Sequence, residues 1–200
     1  MHGNIDWHEI RRKTFHIIGG LVIGTLIYFE ILKAWMVLII VGVGIIISAI
    51  YMIYDIPLIN YFLNRYERTY LRKKFPGKGV IYLFLAVLFL MLTFEKNIVL
   101  AGIMIWTFGD SLSAIVGKHY PNGTKHPLNN ARIIEGTLAG IIVGAVAASF
   151  FVYWIYALIG AAISMTIESL DWKLYRETFD DNLFVPLIGS FAIYLLMIIF

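Results

Sequence analysis

The stretch from Trp106 to Gly140 carries an acid, several bases and glycines between two apolar runs. Asp110 interrupts an apolar segment of membrane-crossing length, and Gly117-Lys118 ends that segment. Cationic side chains and glycine-exposed amides suit phosphate oxygens, and carboxylates suit a hard cation such as Mg²⁺. The spacing therefore indicates a phosphate-handling site at a membrane boundary. Its other polar members are Lys125, His126, Arg132 and Glu135.

The composition predicts a membrane around this stretch. Of the 200 residues, 60% are hydrophobic and only 14% are charged, whereas a soluble domain carries about 25% charged residues. Such a chain cannot cover a water-facing surface, so we predict an integral membrane protein of the cell membrane or an endomembrane, with one domain over residues 1–200. The chain has no cysteine, which excludes disulfides and thiol chemistry.

Apolar runs predict an all-α protein with about seven transmembrane helices. About 20 apolar residues cross a bilayer, and the long run 137–169 is divided at Tyr153-Trp154, where interfacial aromatic residues are expected. Within residues 55–78, apolar side chains recur at helical spacing on one face and basic side chains on another. This pattern predicts an amphipathic helix in the membrane interface that ends at Pro76-Gly77. The predicted spans are 15–29, 34–54, 79–93, 98–116, 137–153, 155–169 and 183–200.

The distribution of basic residues predicts a cytoplasmic N-terminus. With seven spans, all of the 16 lysines and arginines except Lys33 and Lys96 fall on one side. Basic residues gather on the cytoplasmic side of membrane proteins. The candidate site therefore faces the cytoplasm.

Ionisable residues cluster at one depth of the predicted bundle. Asp110 lies about 18 Å along the fourth span, past the midplane towards the cytoplasm, and an acid there is a functional-site hypothesis by default. Mg²⁺ with cationic clamps is the usual equipment for phosphoryl transfer, and a nucleotide and a lipid alcohol could both reach this depth. Spacing alone leaves a cation-coupled transporter as an equal alternative. The other residues at this level are His16, Glu135, Glu168, Asp180, Asp181 and Asn182.

Small residues recur every four positions on the fifth span, at Gly136, Gly140, Gly144 and Ala148. Such a stripe lets membrane helices approach closely. Gly20 and Gly24 repeat this spacing on the first span. We predict close helix packing at both places.

The motifs resemble a known enzyme family. FGDSLSAIVGKHYPNG…EGTLAG is similar to the GD-x₂-A-x₂-G-[RK]-x₂-G…EG-[ST]-x-AG signature of the CTP-dependent polyprenol kinases, the dolichol kinase, phytol kinase and yeast-type diacylglycerol kinase group, distantly related to phosphatidate cytidylyltransferases. Matches to further elements of that family are spread over nearly the whole chain. Where the family usually has Lys-Thr, this chain has Arg132-Ile133. The further elements are Arg12-Lys13 with His16 and Gly20, the turn 76–79, and Asp181-Asn182-Leu183 with Pro186.

The resemblance implies transfer of the γ-phosphate of CTP to a lipid alcohol, with dolichol or another polyprenol as the first expectation. It implies Mg²⁺ as cofactor, membrane lipids as surroundings and no nucleic-acid partner, and it leaves the oligomeric state open. The implied catalytic residues are Asp110, as metal ligand or activator of the alcohol, His16, as candidate general base, and Glu135. The implied nucleotide-binding residues are Arg12, Lys13, Gly109, Gly117, Lys118, Lys125, Arg132, Gly136 and Asn182. The implied metal ligands are Asp110, Glu168 and Asp181.

The same residues also allow other interpretations. Arg12 and Lys13 could be topology anchors, His16 could be an interfacial helix-start residue, and Asp110 could make a hydrogen bond inside the bundle. A cytidylyltransferase that acts on a phospholipid would release pyrophosphate from CTP. A small cation-coupled transporter would expose polar groups to both faces, whereas the predicted external connections carry few.

Overall fold

Helices make up the fold, apart from one short β-hairpin, in the part of the chain that the structure describes. The structure is a computed structural model, and it describes residues 7–67, 74–120, 122–127, 129–170 and 180–200. The helices are α1 (Trp7–Tyr28), α2 (Ala34–Tyr51), α3 (Pro57–Tyr66), α4 (Lys78–Thr93), α5 (Lys96–His119), α6 (Ile134–Ala148), α7 (Trp154–Ser169) and α8 (Asp181–Ile199), and the hairpin strands are β1 (Lys125–His126) and β2 (Asn129–Ile133).

Helix α5 is the centre of the fold. It is buried along most of its length, and α1, α6 and α8 pack directly against it. Its side chains Leu100, Ile103 and Ile105 are fully buried. Within α5 the residues Ile105–Asp110 form a π-helical segment. A π-helical turn holds an extra residue and is frequent at functional sites, and no sequence signal predicted this one.

Three of the described helices, α2, α5 and α8, are long and apolar enough to cross a membrane. Helices α4, α6 and α7 are apolar but only 15 or 16 residues long. At 1.5 Å per residue such a helix spans about 24 Å, less than the ~30 Å of a hydrocarbon core. The prediction of a helical protein with helices of membrane-crossing length is confirmed. Seven spans and a cytoplasmic N-terminus remain predictions.

Several helix ends differ from the predicted ones. Helix α1 begins at Trp7, eight residues before the predicted 15–29 run, and its charged first half packs on α5. Helix α6 ends at Ala148 instead of continuing to Tyr153, because a turn follows it. The predicted division at Tyr153-Trp154 is confirmed, since α7 begins at Trp154 with Tyr153 in the N-cap position.

The predicted amphipathic segment 55–78 is helical over Pro57–Tyr66, which is α3. Residues 68–73 of that segment lie outside the described residues. Gly77 has a φ of 75°, a left-handed conformation that glycine adopts most easily, and it caps the start of α4. Its N–H donates to both carboxylate oxygens of Glu67, at 3.0 and 3.1 Å. This contact brings the end of α3 to the start of α4.

The predicted close packing of the small-residue stripe is confirmed. A Cβ added to Gly140 would lie 2.8 Å from the carbonyl oxygen of Gly109 on α5, and one added to Gly136 would lie 2.9 Å from the carbonyl oxygen of Ser113. On α1, a Cβ at Gly20 would overlap the Thr107 side chain. Glycine therefore lets both α1 and α6 approach the central helix at the level of the π-helical segment.

Candidate functional site

A buried ion pair joins α1 to the π-helical segment of α5. The Lys13 Nζ lies 2.5 Å from Asp110 Oδ2, and only 1% and 2% of the two side chains are exposed. A buried charge is costly unless it is paired, so each of these groups requires the other. Asp110 is therefore neutralised by Lys13, and Lys13, which the resemblance assigns to phosphate binding, is held by Asp110.

His16 lies next to this pair, and its ring packs at a tilt against that of Trp106. The two ring centroids are 3.7 Å apart, and His16 Nε2 is 3.7 Å from Asp110 Oδ2. His16 Nε2 also lies 3.3 Å from the carbonyl oxygen of Trp106. A carbonyl oxygen only accepts, so Nε2 carries the hydrogen in this contact, and the lone pair of the neutral ring is on Nδ1. The imidazole is held in position and keeps one basic nitrogen.

The start of α8 completes this group of side chains. Trp106 Nε1 donates to Asn182 Oδ1 at 3.2 Å, and Asn182 Nδ2 donates to Asp180 Oδ1 at 2.8 Å. Asp180 also caps α8 by accepting from the Asn182 N–H. Burial and the neighbouring Asp181 raise the pKa of Asp180 to about 6, while Lys78, 3.9 Å away, opposes this shift. One polar chain thus runs from His16 through Trp106 to α8.

Glu9 is a buried carboxylate that forms ion pairs with two basic side chains. Arg12 Nη2 lies 2.5 Å from Glu9 Oε1, and Lys118 Nζ lies 3.0 Å from Glu9 Oε2. About half of the Lys118 side chain is exposed. The predicted phosphate contacts Arg12 and Lys118 are therefore brought side by side, on adjacent helices, by a residue that sequence reasoning did not include in the site.

The β-hairpin is fastened to the last turn of α7. Arg132 on β2 makes a two-pronged contact with the buried Glu168, and its Nη1 is 2.9 Å from Glu168 Oε2. Asn129 Nδ2 donates to the carbonyl oxygen of Ser169 at 3.0 Å, and the Ser169 hydroxyl lies 3.3 Å from His126 Nε2. The two strands pair antiparallel, with Lys125 opposite Ile133. The hairpin positions Arg132 by these contacts.

The charges of three predicted metal ligands act on Arg132, and one of the three, Glu168, contacts it. Burial alone would lower the pKa of the Arg132 guanidinium, but the charges of Glu168, Asp110 and Asp181 raise it above its ordinary value. These carboxylates come from α7, α5 and α8, so residues that are far apart in sequence act on the same guanidinium. Among the described residues, no three His, Asp or Glu side chains are close enough to form a metal site.

A cavity of about 320 Å³ opens between α1, α3, α4 and the start of α8. His16, Trp106, Asp181 and Asn182 line one part of it, and Arg12 is also in its wall. Asp110 does not line the cavity. Because His16 touches both the cavity and the Lys13–Asp110 pair, it connects the two.

Several predicted site residues have other partners. Glu135, in the first turn of α6, accepts the Thr124 N–H with both carboxylate oxygens, at 3.0 and 2.9 Å, and this contact fixes the loop before the hairpin. Lys125 is an exposed residue of β1. Gly109, Gly117 and Gly136 lie where α5 and α6 are closest, so the approach that they permit in this structure is between helices.

Two residues of the site were absent from the predicted set although the sequence carries a signal for each. Glu9 precedes Lys13 by four positions and therefore lies on the same helical face. Trp106 precedes Asp110 by four positions and begins the polar stretch that runs to Gly140. Their roles depend on Lys118 and Asn182, which are distant in sequence, so neither contact could be predicted from spacing.

The fold and the site define a class: a helical protein, with helices long enough to cross a membrane, that buries charged residues on α1, α5 and α7 and at the start of α8. The chain belongs to the same family as the uncharacterized protein MJ1137 of Methanocaldococcus jannaschii. The two are 31% identical over 187 residues, which cover 92% of each chain. No family model matches the chain, and no solved structure matches it.

Proposed function

We propose that this protein is an integral membrane kinase that transfers the γ-phosphoryl group of CTP to a lipid alcohol, with dolichol or another polyprenol as the first candidate. The observation that carries the proposal is the position of His16 between a buried Lys13–Asp110 pair and a cavity that opens beside three helices. A base next to a fixed carboxylate and an open cavity is the arrangement that activation of a hydroxyl group requires.

Seven spans with the N-terminus in the cytoplasm are part of this proposal. Large apolar side chains are exposed on the outer faces of α2, α6 and α8, which favours lipid as their surroundings. The basic residues fall almost entirely on the side of the site, in agreement with a cytoplasmic location. In this topology, CTP reaches the site from the cytoplasm and the lipid alcohol reaches it from the bilayer.

The transfer forms one bond and breaks one. The alcohol oxygen bonds to the γ-phosphorus of CTP, the bond between that phosphorus and the β–γ bridging oxygen breaks, and CDP leaves. His16 Nδ1 takes the hydroxyl proton. Lys118, Arg12 and Arg132 bind the phosphate oxygens, while Lys13 holds Asp110 in place beside His16. The resemblance to the polyprenol kinases supports CTP as the donor.

The carboxylates are better suited to bind Mg²⁺ together with a nucleotide than to bind Mg²⁺ alone. The charges of Asp110, Glu168 and Asp181 all act on the Arg132 guanidinium, yet the described residues include no ready group of three ligands. Mg²⁺ is usually held by one or two carboxylates together with substrate phosphates. Asp181 and Glu168 are the residues that would hold it, and its chemical contribution would be to neutralise charge on the phosphates.

The experiment that tests the function incubates the purified protein with Mg²⁺, γ-labelled CTP or ATP, and a panel of polyprenol, geranylgeraniol and diacylglycerol. We expect label in a lipid monophosphate and CDP as the second product. Label in none of the lipids would refute the kinase assignment. Release of pyrophosphate with phosphatidate would establish a cytidylyltransferase instead, and cation-dependent uptake into vesicles without any labelled lipid would establish a transporter.

A further inference from the structure

The cavity between α1, α3 and α4 has two chemically different parts. Its walls are largely apolar, with Phe15 from α1, Phe62 from α3 and Leu83 from α4. One part is polar, because His16 and Asn182 line it. A mostly apolar cavity with a few convergent polar groups is the usual form of a small-molecule site, and about 320 Å³ is within the range of such sites.

Helix α3 forms one wall of the cavity through an aromatic contact. The rings of Phe15 and Tyr66 are stacked with centroids 4.6 Å apart, which joins α3 to α1. Glu67 follows α3 directly and binds the N–H of Gly77, which joins the same wall to α4. These contacts join the described walls of the cavity to one another, and α1, which carries the proposed base, contributes one of the apolar walls.

Among the described residues that line the cavity, acidic side chains outnumber basic ones. Three carboxylates, those of Glu67, Asp180 and Asp181, stand against one guanidinium, that of Arg12, which is bound to Glu9, and Lys78 lies 3.9 Å from Asp180. A phosphate group placed here would meet like charge, whereas a hydroxyl group would find acceptors and the imidazole of His16. The lining therefore favours an uncharged amphiphile.

We propose that this cavity is the acceptor site, that it binds the hydroxyl end and the first branched apolar units of an uncharged isoprenoid alcohol, and that it rejects the corresponding lipid phosphate. This inference rests on the proposed kinase function for its reaction but concerns binding alone. Of the proposed phosphate ligands, Lys118 and Arg132 are not among the described residues that line the cavity, whereas Arg12 is, so the acceptor site adjoins the nucleotide site at Arg12.

Gly19 is a position at which a larger side chain would fill the cavity without a steric clash at Cβ. It lines the cavity, and a Cβ added to it meets no atom within 4 Å, so a leucine side chain can extend into the open space. Gly42 is the matched control, because it is also a helical glycine whose added Cβ meets nothing, and it does not line the cavity. Both changes replace glycine by a better helix former.

The test measures binding without nucleotide. The protein in lipid nanodiscs is photolabelled with a diazirine-bearing geranylgeraniol, and the labelled peptides are identified by mass spectrometry. We expect label on peptides from α1, α3 or α4, competition by geranylgeraniol, and little competition by geranylgeranyl phosphate. Gly19→Leu should reduce the labelling at least about tenfold, and Gly42→Leu should leave it unchanged.

Two results would overturn the inference: labelling that Gly19→Leu does not reduce, or competition by geranylgeranyl phosphate that equals competition by the alcohol. Failure of the proposed function looks different. If specific labelling occurs with the expected competition but no phosphoryl group is transferred from any nucleotide, the acceptor site stands and the kinase assignment falls. If transfer occurs and Gly19→Leu leaves the KM for the alcohol unchanged, the kinase assignment stands and the acceptor site falls.

Discussion

Lys13 and Asp110 form an ion pair that is almost completely buried between the first helix and the π-helical segment of α5, with Nζ 2.5 Å from Oδ2. Removing one member leaves the other charge buried without a partner, which costs about 3–5 kcal/mol, whereas replacing both by apolar groups is often neutral. Single and double variants of this pair can therefore distinguish its effect on stability from its effect on function.

We expect Lys13→Met and Asp110→Asn each to lower the thermal unfolding midpoint in detergent strongly, and the double variant Lys13→Met/Asp110→Leu to recover most of it. Neither single variant nor the double variant should transfer phosphate. Lys96→Met is the control, because it breaks the exposed Lys96–Glu30 pair, and solvent-exposed pairs contribute little. An Asp110→Asn protein with wild-type midpoint and full activity would contradict the role of this pair.

Arg132 should be sensitive to replacement by lysine. Arg132→Lys keeps the charge but loses the two-pronged contact with Glu168. Hydrogen bonds to charged groups are worth about 1.5–3 kcal/mol, so we expect the KM for CTP to rise at least about tenfold. Steady-state kinetics with varied CTP measures this effect, and Arg11→Lys, the same change on the exposed surface of α1, is the control. An unchanged KM for CTP would remove Arg132 from the nucleotide site.

Trp106 should act as a positioning residue for His16. Trp106→Phe keeps an aromatic ring on the imidazole but loses the indole N–H that donates to Asn182. Loss of one hydrogen bond of about 1 kcal/mol corresponds to about fivefold in rate. We expect kcat to fall by that amount while the KM for CTP is unchanged. Trp154→Phe, at the exposed start of α7, is the control, and an equal effect of both changes on kcat would argue against positioning.

Gly140 should not tolerate a methyl group. A Cβ there would lie 2.8 Å from the Gly109 carbonyl oxygen and 2.9 Å from the Ser113 Cβ. Overpacking of this kind costs about 1–3 kcal/mol, so Gly140→Ala should lower the unfolding midpoint. Gly42→Ala meets no atom and improves helix propensity, so it should raise the midpoint slightly. Equal midpoints of the two variants would mean that α6 and α5 can separate without loss.

Asp180 predicts a pH dependence of stability. Burial and Asp181 raise its pKa to about 6 in the folded protein, from 3.8. The folded protein therefore favours the protonated acid, and this contribution is complete below about pH 4 and is lost as the pH rises through about 6. We expect the unfolding midpoint to fall over that range in the wild type and to fall less in Asp180→Asn, which stays neutral. Identical pH profiles of the two proteins would contradict the raised pKa.

Much of the helical organisation followed from the sequence because apolar runs and turn residues act locally. The division at Tyr153-Trp154 and the close packing at Gly136 and Gly140 needed only periodicity and residue size. The π-helical segment Ile105–Asp110 could not be predicted, since its extra residue depends on contacts with neighbouring helices. The hairpin is too short to produce a pattern of alternating residues.

The candidate site was predictable as a set of residues but not as a set of contacts. The motif resemblance selected His16, Asp110 and Asn182, and the structure places them around Trp106. The partners of each charge were not readable, because charge alone does not distinguish a lysine that binds phosphate from one that binds a buried acid. Lys13 has the second kind of partner in this structure, and Glu135 binds a backbone amide of its own loop.

Lys13 is synthesised 97 residues before Asp110. At roughly 5–20 residues per second, the interval between the two is roughly 5–20 s. During that time the Lys13 ammonium has no Asp110 to neutralise it, so the first half of α1 cannot be buried in its final place. Helix α1 is synthesised first but packs in its final place only after α5 has been made. The order of assembly therefore differs from the order of synthesis.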